Sequence, residues 1–224
     1  MARRARIPIA WHLDDAEYYP LVIGALRHGF TSVVADYSSR PFAQNVELTR
    51  KVVEAAHAAG VAVEGELGYV PPPASRHRQP RQGTAQPGGI PGTPSPAPMR
   101  AEAVVARTGV DSLAVSIGTV HGAYRGEPQL DLERLEAIRC RVPVPLVLHG
   151  GSGVPGDLLR EAIARGITKI NFATELKHAW SHTVRSALAG AAASDPRHVS
   201  RAGLEALKAA AAGKIRLCGA RGRA

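Results

Sequence analysis

The chain has 224 residues, enough for one domain with a buried core. Hydrophobic residues at 45% and charged residues at 21% exclude wholesale disorder, and 4% aromatics leave little for a surface that stacks on bases. The net charge of +9 sits in Arg3, Arg4 and Arg6, in Arg76, Arg78, Arg81 and Arg100, and in Lys214, Arg216, Arg221 and Arg223. Those are ends and a linker rather than one face, so no specific nucleic-acid partner is expected. No apolar run approaches the ~20 residues of a membrane span, and the basic first six residues lack the apolar stretch of a secretory signal. Cys140 and Cys218 stand alone, which fits a reducing, cytoplasmic setting.

A strand is predicted over residues 7–13, and it runs into His12, Leu13, Asp14 and Asp15. A second, over 32–36, runs into Asp36, Tyr37 and Ser38. A helix over 43–59 follows, with Val46, Val52, Val53 and Ala56 on one side and Gly60 as its stop. The third strand, 61–67, carries Glu64 and Glu66 before Gly68. Residues 71–100 are rich in proline, free of acids and without hydrophobic period, and are expected to form a disordered loop. A fourth strand, 112–117, leads into Gly118, Thr119, Val120, His121 and Gly122. A helix over 132–138 precedes the fifth strand, 144–149, which ends at His149, Gly150, Gly151, Ser152 and Gly153. A helix over 158–165 closes at Gly166, and the sixth strand, 168–171, ends at Asn171, Phe172, Ala173 and Thr174. Helices over 175–188 and 198–213 complete the chain.

Strand and helix alternate, which demands parallel strands joined by helical crossovers. The strands are apolar throughout, as in a sheet covered on both faces. Every strand closes on polar or glycine residues at its C-terminal end. A doubly wound sheet would use only the ends near its switch point. A barrel brings all of them to one mouth. The expected fold is therefore α/β, a TIM-type (β/α)8 barrel in which about six units are visible. It forms a single domain over 1–224, interrupted at 71–100.

His121 and His149 end two strands, each followed by glycine, and two imidazoles converging at a barrel mouth can hold zinc. A lone histidine there would read as an ordinary core or surface residue; a matched pair does not. Gly150, Gly151 and Ser152 precede one helix and Asn171, Ala173 and Thr174 precede the next, so backbone N–H groups could face a phosphate. The alternative is a plain tight turn. No Walker A sequence is present. Asp14 and Asp15 repel one another unless a cation intervenes, or serve as a helix cap. Asp36 and Glu66 are caps or auxiliary metal groups.

The segments HLDD, GFTSVVADYS, EGELG, GVDSLAVSIGTVHGAYRGEP, VPLVLHGGSG, KINFATEL and KIRLCGARGRA together resemble the class II ketose-bisphosphate aldolases, nearest the fructose-/tagatose-bisphosphate group. The resemblance covers nearly the whole chain outside the proline-rich segment. It implies a zinc-dependent lyase of carbohydrate metabolism on a TIM barrel. Such an enzyme cleaves a ketose bisphosphate reversibly to dihydroxyacetone phosphate and an aldehyde. It implies zinc ligands at His121 and His149 and a catalytic carboxylate at Asp14, with Glu66 and Asp36 near the metal. Phosphate contacts would come from Gly122, Gly150, Gly151, Ser152, Asn171, Ala173 and Thr174. A monovalent cation (Na+ or K+) and a homo-oligomer, dimer or tetramer, are also implied.

Three features depart from the family pattern. The family motif HLDH places a third zinc-binding histidine where this chain has Asp15, so the expected metal set is His121, His149 and Asp15. The acid-rich loop that follows GELG is replaced by Tyr69, Val70 and prolines, with no acid before Glu102. The family carries two more βα units ahead of the HLDH strand, so the pattern reads as N-terminally truncated. Two functions are compatible with this: a working aldolase, or an inactive remnant that still binds phosphosugars. Lys169 could in principle form a Schiff base, but a metal site makes that role superfluous.

Overall fold

The computed structural model describes residues 7–70, 96–122, 124, 126–189 and 195–223. Thirteen elements follow in the order β1 (His12–Leu13), α1 (Tyr19–Arg27), β2 (Ser32–Ala35), α2 (Phe42–Ala58), β3 (Ala62–Leu67), α3 (Pro98–Thr108), β4 (Ser112–Val115), α4 (Leu132–Arg139), β5 (Leu146–Leu148), α5 (Gly156–Ala164), β6 (Ile167–Ile170), α6 (Thr174–Leu188) and α7 (Pro196–Leu217). The six strands form one parallel sheet whose spatial order is the chain order, β1 through β6. A doubly wound sheet reverses its order at a switch point; this one never does. Side chains of the two edge strands also meet. Lys169 of β6 reaches His12 of β1 at 3.3 Å, and Asn171 reaches Asp14 at 3.1 Å. The sheet therefore curls into most of a barrel wall.

The core follows from strands buried on both faces. Val33, Val34 and Ala35 of β2, Leu113 and Ala114 of β4, and Leu146, Val147 and Leu148 of β5 are all sealed from solvent. Helices lay Val22, Val52, Ala56, Val104, Leu135, Ile138, Leu159 and Ala162 against them. Burial of each such Leu, Ile or Val is worth about 2 kcal/mol, which is what holds short strands of three or four residues in register. Every pairing is parallel, so the chain leaves every strand at the same end of the wall.

Several elements differ from their sequence-based expectation. The first strand shrinks to two residues. Ile7, Ile9 and Trp11 are about half exposed despite their strand-favouring character, because β1 is an edge with β2 as its only partner among the described residues. Trp11 instead stacks on Phe30 at a centroid distance of 4.3 Å. Helix α1 was not expected; Pro20 sits in its first turn, where a missing N–H costs nothing. Pro98 likewise begins α3, so the proline-rich stretch gives way to helix before residue 100. The expected disorder of the preceding residues lies outside the described residues. Gly213 does not end α7, which continues to Leu217.

Helices α6 and α7 pack on each other. Gly203 allows this contact: a Cβ there would stand 2.7 Å from both Trp180 Nε1 and Val184 Cγ2. The far end of α7 returns to the barrel, with Lys214 paired to Glu175 and Leu217 against Gly156.

Gly150 carries the sharpest steric demand at the strand ends. Its φ is 70°, and a Cβ there would collide with the Val120 carbonyl. Gly150→Ala is therefore expected to lower stability by about 3 kcal/mol, combining a left-handed backbone with overpacking. Urea unfolding measures this; a loss below about 1 kcal/mol would mean that the loop relaxes freely.

Candidate metal centre

The loops after β1, β4 and β5 deliver Asp15, His121 and His149 to one place. Their donor atoms all lie within 4.8 Å of one another. The two imidazoles meet edge to face, with centroids 5.9 Å apart. Asp15 is the only non-glycine with positive φ, at 53°, among the described residues. Asp is one of the few residue types that enters this region at modest cost, and here the conformation turns its carboxylate toward the histidines.

His149 is the anchor. Its ring is buried, and Nε2 donates to Glu64 Oε1 at 2.7 Å. That hydrogen bond fixes Nδ1 as the free edge. Nδ1 has no aligned hydrogen-bond partner, and neither does Glu66 Oε2, although the two stand 3.4 Å apart. Buried polar atoms are rarely left unsatisfied. A cation shared by these atoms and the neighbouring Asp15 and His121 would satisfy both. An imidazole held through its other nitrogen by a carboxylate is the usual outer arrangement of a metal-binding histidine. The donor set, two nitrogens and a carboxylate oxygen, is one that zinc and harder divalent ions accept. The residues present thus fit a divalent metal.

Electrostatics match that geometry. Burial opposes the His149 imidazolium, but the hydrogen bond to Glu64 and the charges of Glu66 and Glu64 outweigh it and push the group up to about 9. Burial, with the nearby Asp36, raises Glu66 to about 8. Asp15 is raised by partial burial and by Asp14. A site whose carboxylates are pushed toward their neutral forms is one in which positive charge is missing.

Asp36 lies one step out. Its Oδ1 accepts from the backbone N–H and hydroxyl of Ser38, at 3.0 and 2.6 Å, and that hydroxyl lies 3.4 Å from Glu66 Oε1. Asp14 is exposed at the same rim, its Oδ1 accepting from Asn171 Nδ2 at 3.1 Å. Asp14 and Asp15 therefore face different partners, Asn171 and the histidines.

The glycine-rich loop after β5 adjoins the start of α6. The Ser152 hydroxyl accepts from the N–H groups of Ala173 and Glu175, at 3.2 and 3.4 Å, while Gly153 N–H donates to Glu175 at 2.7 Å. Gly151 N–H is taken by the Asn171 carbonyl at 3.1 Å, so Gly151 shapes this cradle without offering a donor. A Cβ on Gly151 would meet Ile170 at 2.5 Å. The Tyr124 hydroxyl donates to Gly150 O at 2.9 Å and accepts from Val120 N–H at 3.2 Å, tying the loop of His121 and Gly122 to that of His149. A cavity of about 300 Å³ lined by Ile167, Ile170, Phe172, Ile215 and Cys218 lies beside α7, away from the metal cluster, and is apolar.

Glu64 was legible only as a strand residue. Its spacing from Glu66 was the available signal, because residues two apart on a strand share a face. Two carboxylates on the inner face of a buried strand need a cation or a proton.

A sequence profile described as "Fructose-bisphosphate aldolase class-II" matches residues 1–223. The chain is 41% identical over 219 residues to a "Fructose-bisphosphate aldolase" from Geobacillus stearothermophilus, covering 97% of this chain and 72% of that protein. Its fold is similar to the crystal structure of the YdjI aldolase from Escherichia coli K12, with a TM-score of 0.84 and 36% identity, covering 100% of this chain and 74% of that one. It is also similar in fold to a fructose-bisphosphate aldolase from Campylobacter jejuni, with a TM-score of 0.75 and 23% identity, over 95% and 71% of the two chains.

Proposed function

Because the chain belongs to the class-II fructose-bisphosphate aldolase family, we propose that it is a zinc-dependent lyase that cleaves fructose or tagatose 1,6-bisphosphate to dihydroxyacetone phosphate and a three-carbon aldehyde phosphate. The observation that carries this reading is the Asp15, His121 and His149 cluster, beside Asp14 and the glycine-rich loop of Ser152 at one end of a parallel wall. Zinc would be held by those three residues, with Glu66 beside them, and when bound it polarises the substrate carbonyl and offsets the negative charge that cleavage creates.

The remaining work falls to side chains. Asp14 takes the proton of the C4 hydroxyl as the C3–C4 bond breaks, and the electron pair stays on C3 of the fragment that becomes dihydroxyacetone phosphate. Asn171 holds the Asp14 carboxylate in place through Oδ1. Gly122, Gly150, Ser152, Ala173 and Thr174 form the cradle for a substrate phosphate, with Ser152 as its movable donor. A proton must then return to C3. The sequence offers no Asp or Glu between Gly68 and Glu102 for this step. That observation favours a second reading, in which the chain binds phosphoketoses without turnover.

The test is zinc-loaded protein given each bisphosphate, with dihydroxyacetone phosphate followed by coupled reduction. Release that a chelator abolishes and zinc restores is the expected result. Tight binding of dihydroxyacetone phosphate with no cleavage of either sugar would select the second reading.

Asp15→His is expected to tighten zinc binding about tenfold, since an imidazole is the better zinc donor and histidine tolerates this backbone region. Competition with a chromophoric chelator measures it, and an unchanged constant would place Asp15 off the metal. Zinc must also displace the His149 proton. With that group at about 9, affinity is expected to rise about tenfold per pH unit between about 6.5 and 8. A flat profile there would exclude His149 as a ligand.

A further inference from the structure

Lys169 projects from β6 into the space between the two edge strands. Its ammonium donates to Glu64 Oε2 at 2.6 Å and to His12 Nε2 at 3.3 Å. His12 is held in turn, its Nδ1 2.9 Å from the Ser32 hydroxyl. Glu64 is buried and spends one oxygen on Lys169 and the other on His149 Nε2, at 2.7 Å. A carboxylate engaged at both oxygens cannot rotate without breaking a charge-assisted hydrogen bond. Without the ammonium it has one strong partner and a free torsion, and the ring of His149 turns with it.

We propose that Lys169 is a positioning residue: it clamps Glu64, and Glu64 holds the free Nδ1 edge of His149 toward Asp15 and His121. Lys169 is in contact with Glu64 and His12, not with Asp15, His121 or His149. It acts on metal affinity through a chain of two contacts, from the edge strand β6 to β3 to the loop after β5. The inference rests on the proposed metal reading, and its test separates the two.

The apparent zinc dissociation constant is measured at neutral pH by competition with a chromophoric chelator, for the unsubstituted chain, Lys169→Met, Lys169→Arg, Glu64→Gln and the Glu64→Gln/Lys169→Met double variant. Lys169→Met is expected to bind zinc about tenfold more weakly, the range seen when an outer partner of a ligating histidine is lost. Lys169→Arg, which keeps a charged donor, is expected to recover most of that loss. The double variant is expected to be no weaker than Glu64→Gln alone, because residues acting in series are not additive. In cobalt-loaded protein the visible bands are expected to shift in Lys169→Met and to return in Lys169→Arg. If Lys169→Met does not fold, Lys169→Gln is read in the same way.

Unchanged affinity in Lys169→Met, or losses that multiply in the double variant, would overturn the proposal while leaving the metal site intact. No zinc binding by the unsubstituted chain would overturn both.

Discussion

Asp14→Asn is expected to lower kcat for bisphosphate cleavage by about a thousandfold, the middle of the range for a lost general base, with zinc affinity nearly unchanged. Asp14 and Asp15 are adjacent in sequence but divide their contacts. Asp14 accepts from Asn171, and Asp15 lies in the cluster with His121 and His149. An asparagine at position 14 keeps the size and the Asn171 contact but cannot accept a proton. Single-turnover cleavage with zinc saturating separates the two roles. A loss below tenfold would remove Asp14 from the chemistry. A large loss of zinc affinity would mean that it is a ligand.

His149→Ala should have the larger structural effect. It removes the one proposed ligand that is buried and held through Nε2 by Glu64, so zinc affinity should fall by more than about a hundredfold, beyond the loss expected when only a partner of a ligating histidine is changed. Stability without metal is also expected to fall, by about 3 kcal/mol, because a buried carboxylate loses a charged partner. Glu64 accounts for most of that cost. Glu66, pushed up by burial and by the nearby Asp36, loses less.

The pH dependence has a definite sign. His149 binds its proton more tightly in the folded state, at about 9, than at its ordinary value of 6.5. Its contribution is therefore complete below pH 6.5 and lost as pH rises through about 9. The stability gap between the unsubstituted chain and His149→Ala, read by denaturant unfolding without metal, should be widest below pH 6.5, shrink as pH rises, and be smallest above about pH 9. A gap that does not change with pH would show that His149 is neutral in the folded chain.

The end of the wall that carries the proposed site was legible in the sequence; the side chains that support it were not. His121 and His149 stand at strand ends beside glycines and Asp15 at another strand end, and parallel strands deliver such residues to one rim whatever the details of packing. That is topology, and alternation of strand and helix reveals it. The roles of Glu64 and Lys169 depend on distances between side chains of different strands, 105 residues apart in the chain. No local pattern encodes that. The same limit applies to α3, whose Pro98 reads as part of the proline-rich loop until its place in the first turn is known. It also applies to β1, where Ile7, Ile9 and Trp11 promised a longer strand than one neighbour can hold.

The wide spacing of these contacts has a kinetic consequence. Glu64 and His149 are separated by 85 residues, and Lys169 and His12 by 157. Contacts of such high sequence separation form late, after loop-closure entropy has been overcome across the whole wall. The metal set therefore does not exist in any early, partly collapsed species, and zinc cannot template the first steps of folding. Adding zinc during refolding should leave the initial rate of secondary-structure formation alone and act afterwards, by slowing the reverse reaction. Metal occupancy then reports that the loops after β1, β4 and β5 have met.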